Sequence, residues 1–217
     1  MGHRHPIFAR VYTVLSRGAE RAGMAEHRTE LLAGLAGRVI EVGAGNGLNF
    51  AHYPAAVTEV VAVEPEPYLR ARAIEAAARA PVPVRVLDGI AEQLPVTDAS
   101  LDAGVTSLVL CSVSDQRAAL AELFRVIEPG GELRFYEHVV AESERLSRVQ
   151  RAIDAVWPML SGGCHTARDT PRRIAEAGFE ITEIRRFDFG PPSPVRPHVI
   201  GRAGRPKMGL EGGDSAR

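Results

Sequence analysis

A small set of side chains in this sequence has the types and spacing to hold a nucleoside-bearing ligand and move a proton. Gly43, Gly45 and Gly47 punctuate the stretch Val42-Gly43-Ala44-Gly45-Asn46-Gly47-Leu48-Asn49-Phe50. Glycines so placed let the backbone turn sharply and let a ligand approach the main chain. A helix restarting at Asn46 would leave its first-turn amides unpartnered, a site for an anionic group. Glu64 closes the next apolar run about twenty residues further on, where an acid can accept hydrogen bonds from both hydroxyls of a ribose. Glu66 is its nearest substitute. Asp88 closes the following run in Asp88-Gly89-Ile90-Ala91, where its carboxylate suits an exocyclic adenine amine and Ile90 suits the ring face. It could equally cap a helix. Glu41 either joins this polar network through water or simply caps its strand. His138 and His165 are candidate general bases, since an imidazole titrates near neutral pH. For each, a structural hydrogen-bonding role is the competing reading.

These residues need elements to position them. Residues 39–42, 59–64, 82–87, 101–110 and 132–139 are short, apolar, β-favouring runs. Between them, residues 46–53 are expected to form a helix stopped by Pro54. Residues 67–79 form a second helix with proline near its start. A third covers 115–127, with Asp115 as N-cap and Leu120, Leu123, Phe124 and Ile127 as its buried stripe. This alternation predicts an α/β fold with a mostly parallel sheet and helices on both faces. Leu146, Val149, Ile153, Val156, Trp157 and Leu160 predict one amphipathic helix, and residues 170–177 a shorter one closed by Gly178. Residues 179–189 and 195–203 follow with no helix between them, so a terminal hairpin makes the last strand antiparallel. Ile7, Phe8, Val11, Tyr12 and Leu15 give residues 6–33 an apolar helical face. The organisation expected is an N-terminal helical lid over 1–37, one domain over 38–203 and a disordered tail over 204–217.

Composition removes several classes of function. The chain has 217 residues, 45% hydrophobic and 24% charged, with net charge −1. That fits one sizeable α/β domain and gives no general attraction for nucleic acid. No run approaches the ~18 apolar residues of a membrane span, so no stable membrane insertion is expected. Cys111 and Cys164 make no disulfide framework, and no signal peptide is visible, so a cytoplasmic location is expected. Cys164 reads as packing: beside His165 it is too sparse for zinc, and no metal is expected. His198 reads as structural. Lysine occurs only at Lys207, which excludes a P-loop and the Tyr-x-x-x-Lys pair of short-chain reductases.

The glycine spacing narrows the ligand. Dinucleotide loops want a third glycine or alanine one position later, where this chain has Leu48. A ligand without a pyrophosphate, S-adenosylmethionine, fits better.

With Leu94-Pro95, Leu101-Asp102-Ala103 and Pro129-Gly130-Gly131-Glu132 added, the set resembles class I S-adenosylmethionine-dependent methyltransferases over roughly residues 38–140. A closer similarity runs through residues 46–54, Val63-Glu64-Pro65, residues 107–113, Tyr136-Glu137-His138-Val139, Gly163-Cys164-His165 with Arg168-Asp169-Thr170, and residues 197–201. These segments look like the methyltransferase-like thiol S-methyltransferases. Animal members carry an N-terminal membrane anchor, which is not expected here. The resemblance implies a Rossmann-like seven-stranded sheet whose last strand is antiparallel. It implies S-adenosylmethionine held by Glu41, Gly43, Gly45, Asn46, Gly47, Asn49, Glu64, Pro65, Asp88, Gly89, Ile90 and Ser107. It also implies a small-molecule methyl acceptor, a thiol first, with an amine (including a phospholipid head group) or a hydroxyl as alternatives. A nicotinamide-dependent reductase is the rival from another class. Strand four lacks the Asp/Asn-Pro-Pro-aromatic motif in which DNA amino-methyltransferases resemble one another.

Overall fold

The computed structural model describes residues 6–207, with side chains from Ala9 onward. Its seven strands form one sheet in the order β3-β2-β1-β4-β5-β7-β6. β1 (Gly37–Val42), β2 (Val57–Val63), β3 (Val84–Leu87), β4 (Leu101–Ser107) and β5 (Ile127–His138) are parallel. β7 (Pro197–Gly204) runs antiparallel to both β5 and β6 (Glu180–Asp188). The expected α/β class and the antiparallel last strand are both observed. All five parallel strands end at one edge, and the order reverses between β1 and β4, where such sheets hold ligands.

The near-continuous apolar runs are buried on both faces. On one face Ile40, Val42, Val61 and Phe135 pack under α4 (Gln116–Val126) and α7 (Thr170–Glu176). On the other, Val39, Val60 and Tyr136 pack against Leu31, Leu32 and Leu35 and the alanine face of α3 (Pro67–Ala77). Capping follows the sequence. The Asp115 carboxylate accepts from the amides of Arg117 and Ala118, and Asp169 from that of Arg172. Glu66 caps α3 by accepting from the Leu69 amide at 2.8 Å.

Two helices depart from expectation. Residues 46–53 form no α-helix, only a single 3₁₀ turn over Phe50–His52. Gly47 sits at φ +78° and Pro54 follows closely, so too few residues remain to nucleate a helix. The amphipathic run from Leu146 to Leu160 breaks into α5 (Glu144–Ile153) and α6 (Trp157–Leu160). Pro158 lacks the amide that a continuous helix needs, and the Asp154 carboxylate turns to accept from the Thr166 amide at 2.7 Å.

The N-terminal segment is two helices, α1 (Pro6–Ala19) and α2 (Ala25–Leu32), joined by a kinked turn in which Gly23 has φ 113°. At the other end β7 reaches Gly204, and Arg205 exchanges backbone hydrogen bonds with Gly130 and Gly131. The tail beyond 207 lies outside the described residues. Among the described residues no helix is long and apolar enough to cross a membrane.

Candidate active site

A cavity of about 460 Å³ runs along the carboxyl edge of the sheet, within the usual size range of small-molecule sites. Gly43, Gly45, Glu64, Pro65, Gly89, Ile90 and Ser107 line it at the ends of β1 to β4. Glu64 is 5% exposed, and its two oxygens accept from the amides of Gly45 at 2.8 Å and Glu66 at 2.9 Å. A carboxylate oxygen has two lone pairs, so each retains one acceptor position. Two remaining acceptors on one cavity wall match the two donors of a ribose diol. Burial raises the Glu64 pKa from the ordinary carboxylate value, against the two amides that lower it.

The glycine loop works differently from its sequence reading. Gly43, Gly45 and Gly47 all have positive φ, at 67°, 58° and 78°. Because no α-helix follows, the loop offers no helix N-terminus. The Gly43 and Ala44 amides instead bond the Val63 carbonyl, which staples the loop to β2.

Several expected ligand contacts lie behind the cavity wall. Glu41, 2% exposed, accepts from Asn49 Nδ2 at 3.0 Å and the Tyr53 hydroxyl at 2.7 Å. Arg28 of α2, 3% exposed, donates to Asn49 Oδ1 at 2.7 Å, Ser107 Oγ at 3.3 Å and Glu20 Oε1 at 2.8 Å. Asn46 donates to Ser16 of α1 at 3.2 Å. Asn46 and Asn49 therefore tie the loop to the N-terminal helices and Glu41 anchors Asn49, while Gly47 packs tightly on Phe50 and Ala76. Ala9 and Tyr12 of α1 complete the cavity roof. Asp88 is not brought to the cavity: its side chain is 72% exposed and paired with Arg70 at 2.9 Å.

Burial pushes Glu41 up to about 7, outweighing the hydrogen bonds from Tyr53 and Asn49 and the Arg28 charge. An acid whose folded pKa is raised loses stability as pH rises from its unfolded value through the folded one. The loss should reach about 3 kcal/mol. We expect Glu41→Gln to remove this slope. Thermal melts from about pH 5 to about pH 8 should show wild type falling relative to the variant; parallel curves would contradict the assignment.

The other end of the cavity is lined by Val109, Cys111, Val113, His138, Trp157, Cys164 and Val195. His138 Nδ1 lies 3.5 Å from Cys164 Sγ and 3.8 Å from Cys111 Sγ. Cys164, read from the sequence as packing, is buried and lines the cavity; its neighbour in the fold is His138 and not the adjacent His165, and Cys111 lies beside both. The Cys111 thiol and His138 hold the Cys164 thiol below its usual range, while Cys111 is pushed up. Glu137, fully buried, accepts from the amides of Val109, Leu110 and Cys111 at 3.1–3.2 Å and so fixes the loop after β4. In that loop Leu108 has φ 60°, a left-handed conformation rare outside glycine. His198 packs on His138 with ring centroids 4.4 Å apart, and burial lowers it to about 3. His165 does not line the cavity. Its ring lies 3.5 Å from Asp154, and its amide bonds the Cys111 carbonyl.

Sequence reasoning missed Arg28, Glu137 and the role of Cys111. Each acts through contacts far apart in the chain. Tyr136-Glu137-His138-Val139 was a marked segment, but nothing local showed that Glu137 faces three amides.

The chain is similar to known proteins in sequence and fold. Residues 40–135 match the family model described as a methyltransferase domain. Thiol S-methyltransferase TMT1B of Rattus norvegicus is 34% identical over 173 residues, covering 76% of this chain and 69% of that protein. Thiol S-methyltransferase TMT1A of Homo sapiens is 35% identical over 179 residues, covering 79% and 72%. Among solved structures, geranyl diphosphate methyltransferase in complex with SAM superposes with TM-score 0.63 at 13% identity, covering 85% of each chain.

Proposed function

Because the chain belongs to the class I S-adenosylmethionine-dependent methyltransferases, we propose that it methylates a small, rather apolar thiol. The observation that carries this reading is the acceptor end of the cavity. There Val109, Val113, Trp157 and Val195 surround two sulfurs and His138 Nδ1. An amine cation would want a free carboxylate here, and the acids that line the cavity are engaged elsewhere: Glu64 by the Gly45 and Glu66 amides, Glu66 by the Leu69 amide and Glu92 by the Asp115 amide. The two relatives at 34% and 35% identity, both thiol S-methyltransferases, support the same reading.

Bound S-adenosylmethionine supplies a methyl group on a positively charged sulfur, already activated for in-line displacement. Glu64 would hold its ribose, Ile90 and Gly89 would wall its adenine, and the Gly43–Gly45 turn with Ser107 would flank the remainder. Ala9 and Tyr12 exclude water from above, and we read α1 as a lid on this site. The protein's remaining task is to align the acceptor and help it lose its proton. His138 lines the acceptor end of the cavity and would be the group beside an incoming sulfur.

His138→Ala should lower turnover about 100-fold near pH 7, the lower edge for acid–base assistance, with cofactor affinity held within about threefold. The deficit should shrink above about pH 8.5, where a thiol ionises unaided. Steady-state rates and titration calorimetry check both; wild-type turnover in the variant would remove His138 from the mechanism. The acceptor class is tested by a methyl-transfer screen over thiols, amines and phenols. Thiols should lead, and a clear preference for amines or phenols would overturn the proposal.

A further inference from the structure

The geometry points to a second component of this site: a zinc ion held by Cys111, Cys164 and His138, with its fourth position open to the cavity. The inference rests on the thiol reading above and makes His138 a metal ligand, with ionisation of the acceptor thiol promoted by the metal in place of direct proton removal by the imidazole.

The ligand atoms of these residues all lie within 4.8 Å of one another. In a tetrahedral zinc site, with sulfur at about 2.3 Å and imidazole nitrogen at about 2.0–2.1 Å, the sulfur–nitrogen edge is about 3.5 Å. The observed edges are 3.5 and 3.8 Å. Both converge on the same nitrogen, Nδ1, as a shared ion requires.

Three separate segments are locked to bring these atoms together. Glu137 accepts from the Cys111 amide at 3.2 Å and fixes the β4 loop. His138 ends β5, paired with His198 of β7. Cys164 follows the Gly162–Gly163 turn, where a Cβ on Gly163 would stand 2.8 Å from the Ser112 carbonyl oxygen. The His165 amide then bonds the Cys111 carbonyl at 2.8 Å, clamping one cysteine loop on the other. A two-cysteine, one-histidine set is soft and suits zinc, and three protein ligands leave a position for substrate. All three residues line the cavity, so that position faces the acceptor.

The chemistry follows directly. Zinc binding releases the protons of the two cysteines to water. An acceptor thiol then binds as thiolate, and its proton also goes to water. The thiolate sulfur forms a bond to the methyl carbon while the donor's carbon–sulfur bond breaks, its electron pair remaining on the donor sulfur. The neutral thioether is a poor zinc ligand and leaves.

The test uses the full chain with zinc ion alone, then cobalt(II). Wild type should retain one zinc per chain after desalting, and cobalt should give the intense thiolate-to-metal charge-transfer absorption of a two-sulfur site. Cys111→Ser and Cys164→Ser should each lose more than about 100-fold in zinc affinity, beyond the loss of an outer partner. Cofactor calorimetry on the same variants shows whether they are folded; if they are not, the cobalt spectrum of wild type decides alone. Substoichiometric zinc in wild type, unchanged zinc affinity in either variant, or a Cys111–Cys164 disulfide in place of metal would each overturn the site. Zinc bound without thiol methylation would leave the metal site standing and remove the thiol reading. Full thiol methylation by chelator-stripped protein would leave the thiol reading standing and overturn the metal's part in it.

Discussion

Glu64→Ala should weaken S-adenosylmethionine binding by about 100-fold or more. Each hydrogen bond to a charged group contributes about 1.5–3 kcal/mol, and the variant removes acceptors for two ligand hydroxyls. At 1.4 kcal/mol per factor of ten, two such losses exceed two decades. The substitution also frees the Gly45 and Glu66 amides, which Glu64 receives at 2.8 and 2.9 Å, so the glycine loop loses a tether. Glu64→Gln should fall between wild type and alanine. Burial raises the Glu64 pKa, and the diol needs the ionised form. Affinity should therefore decline as pH falls, beginning above the ordinary carboxylate range, and the glutamine variant should lack that decline. Calorimetry across pH reads both effects. Undiminished binding by the alanine variant would show that another residue holds the ribose.

Arg28→Leu is the second large effect. The guanidinium is buried and bonds Glu20, Asn49 and Ser107, joining the kinked turn after α1, α2, the glycine loop and β4 at one point. Its removal leaves Glu20, with a side chain 17% exposed, without its cation. Breaking a buried ion pair from one side costs about 3–5 kcal/mol. For a domain of this size that corresponds to a melting-temperature drop of about 10 °C. Cofactor affinity should fall as well, because Ala9 and Tyr12 depend on the same anchor for their place over the cavity. Arg28→Lys should rescue little, since one ammonium cannot reproduce the planar fork. A melting temperature within about 2 °C of wild type, with unchanged affinity, would mean the N-terminal helices keep their place without Arg28.

The two substitutions bracket what the sequence discloses. Glu64 was legible because strand ends are local events: an apolar run, then an acid, at a spacing set by strand–helix repeats. The parallel order, the closing hairpin and the cap at Asp115 were legible for the same reason. Arg28 was not, because its role exists only when α2 crosses the glycine loop and β4. Cys111 and Cys164 sit on two loops that meet only in the folded chain. The helix expected over residues 46–53 failed for a local reason that was underweighted, a left-handed Gly47 followed closely by Pro54. Asp88 occupied the right strand end, but Arg70 holds it outside the cavity.

The most direct measurement is a single turnover with S-adenosylmethionine carrying a trideuteromethyl group and one apolar thiol, read by mass spectrometry. The site described here predicts a trideuteromethyl thioether and the demethylated cofactor in equal amounts. Demethylated cofactor without the labelled thioether, or a label found only on nitrogen or oxygen acceptors in competition, would contradict it.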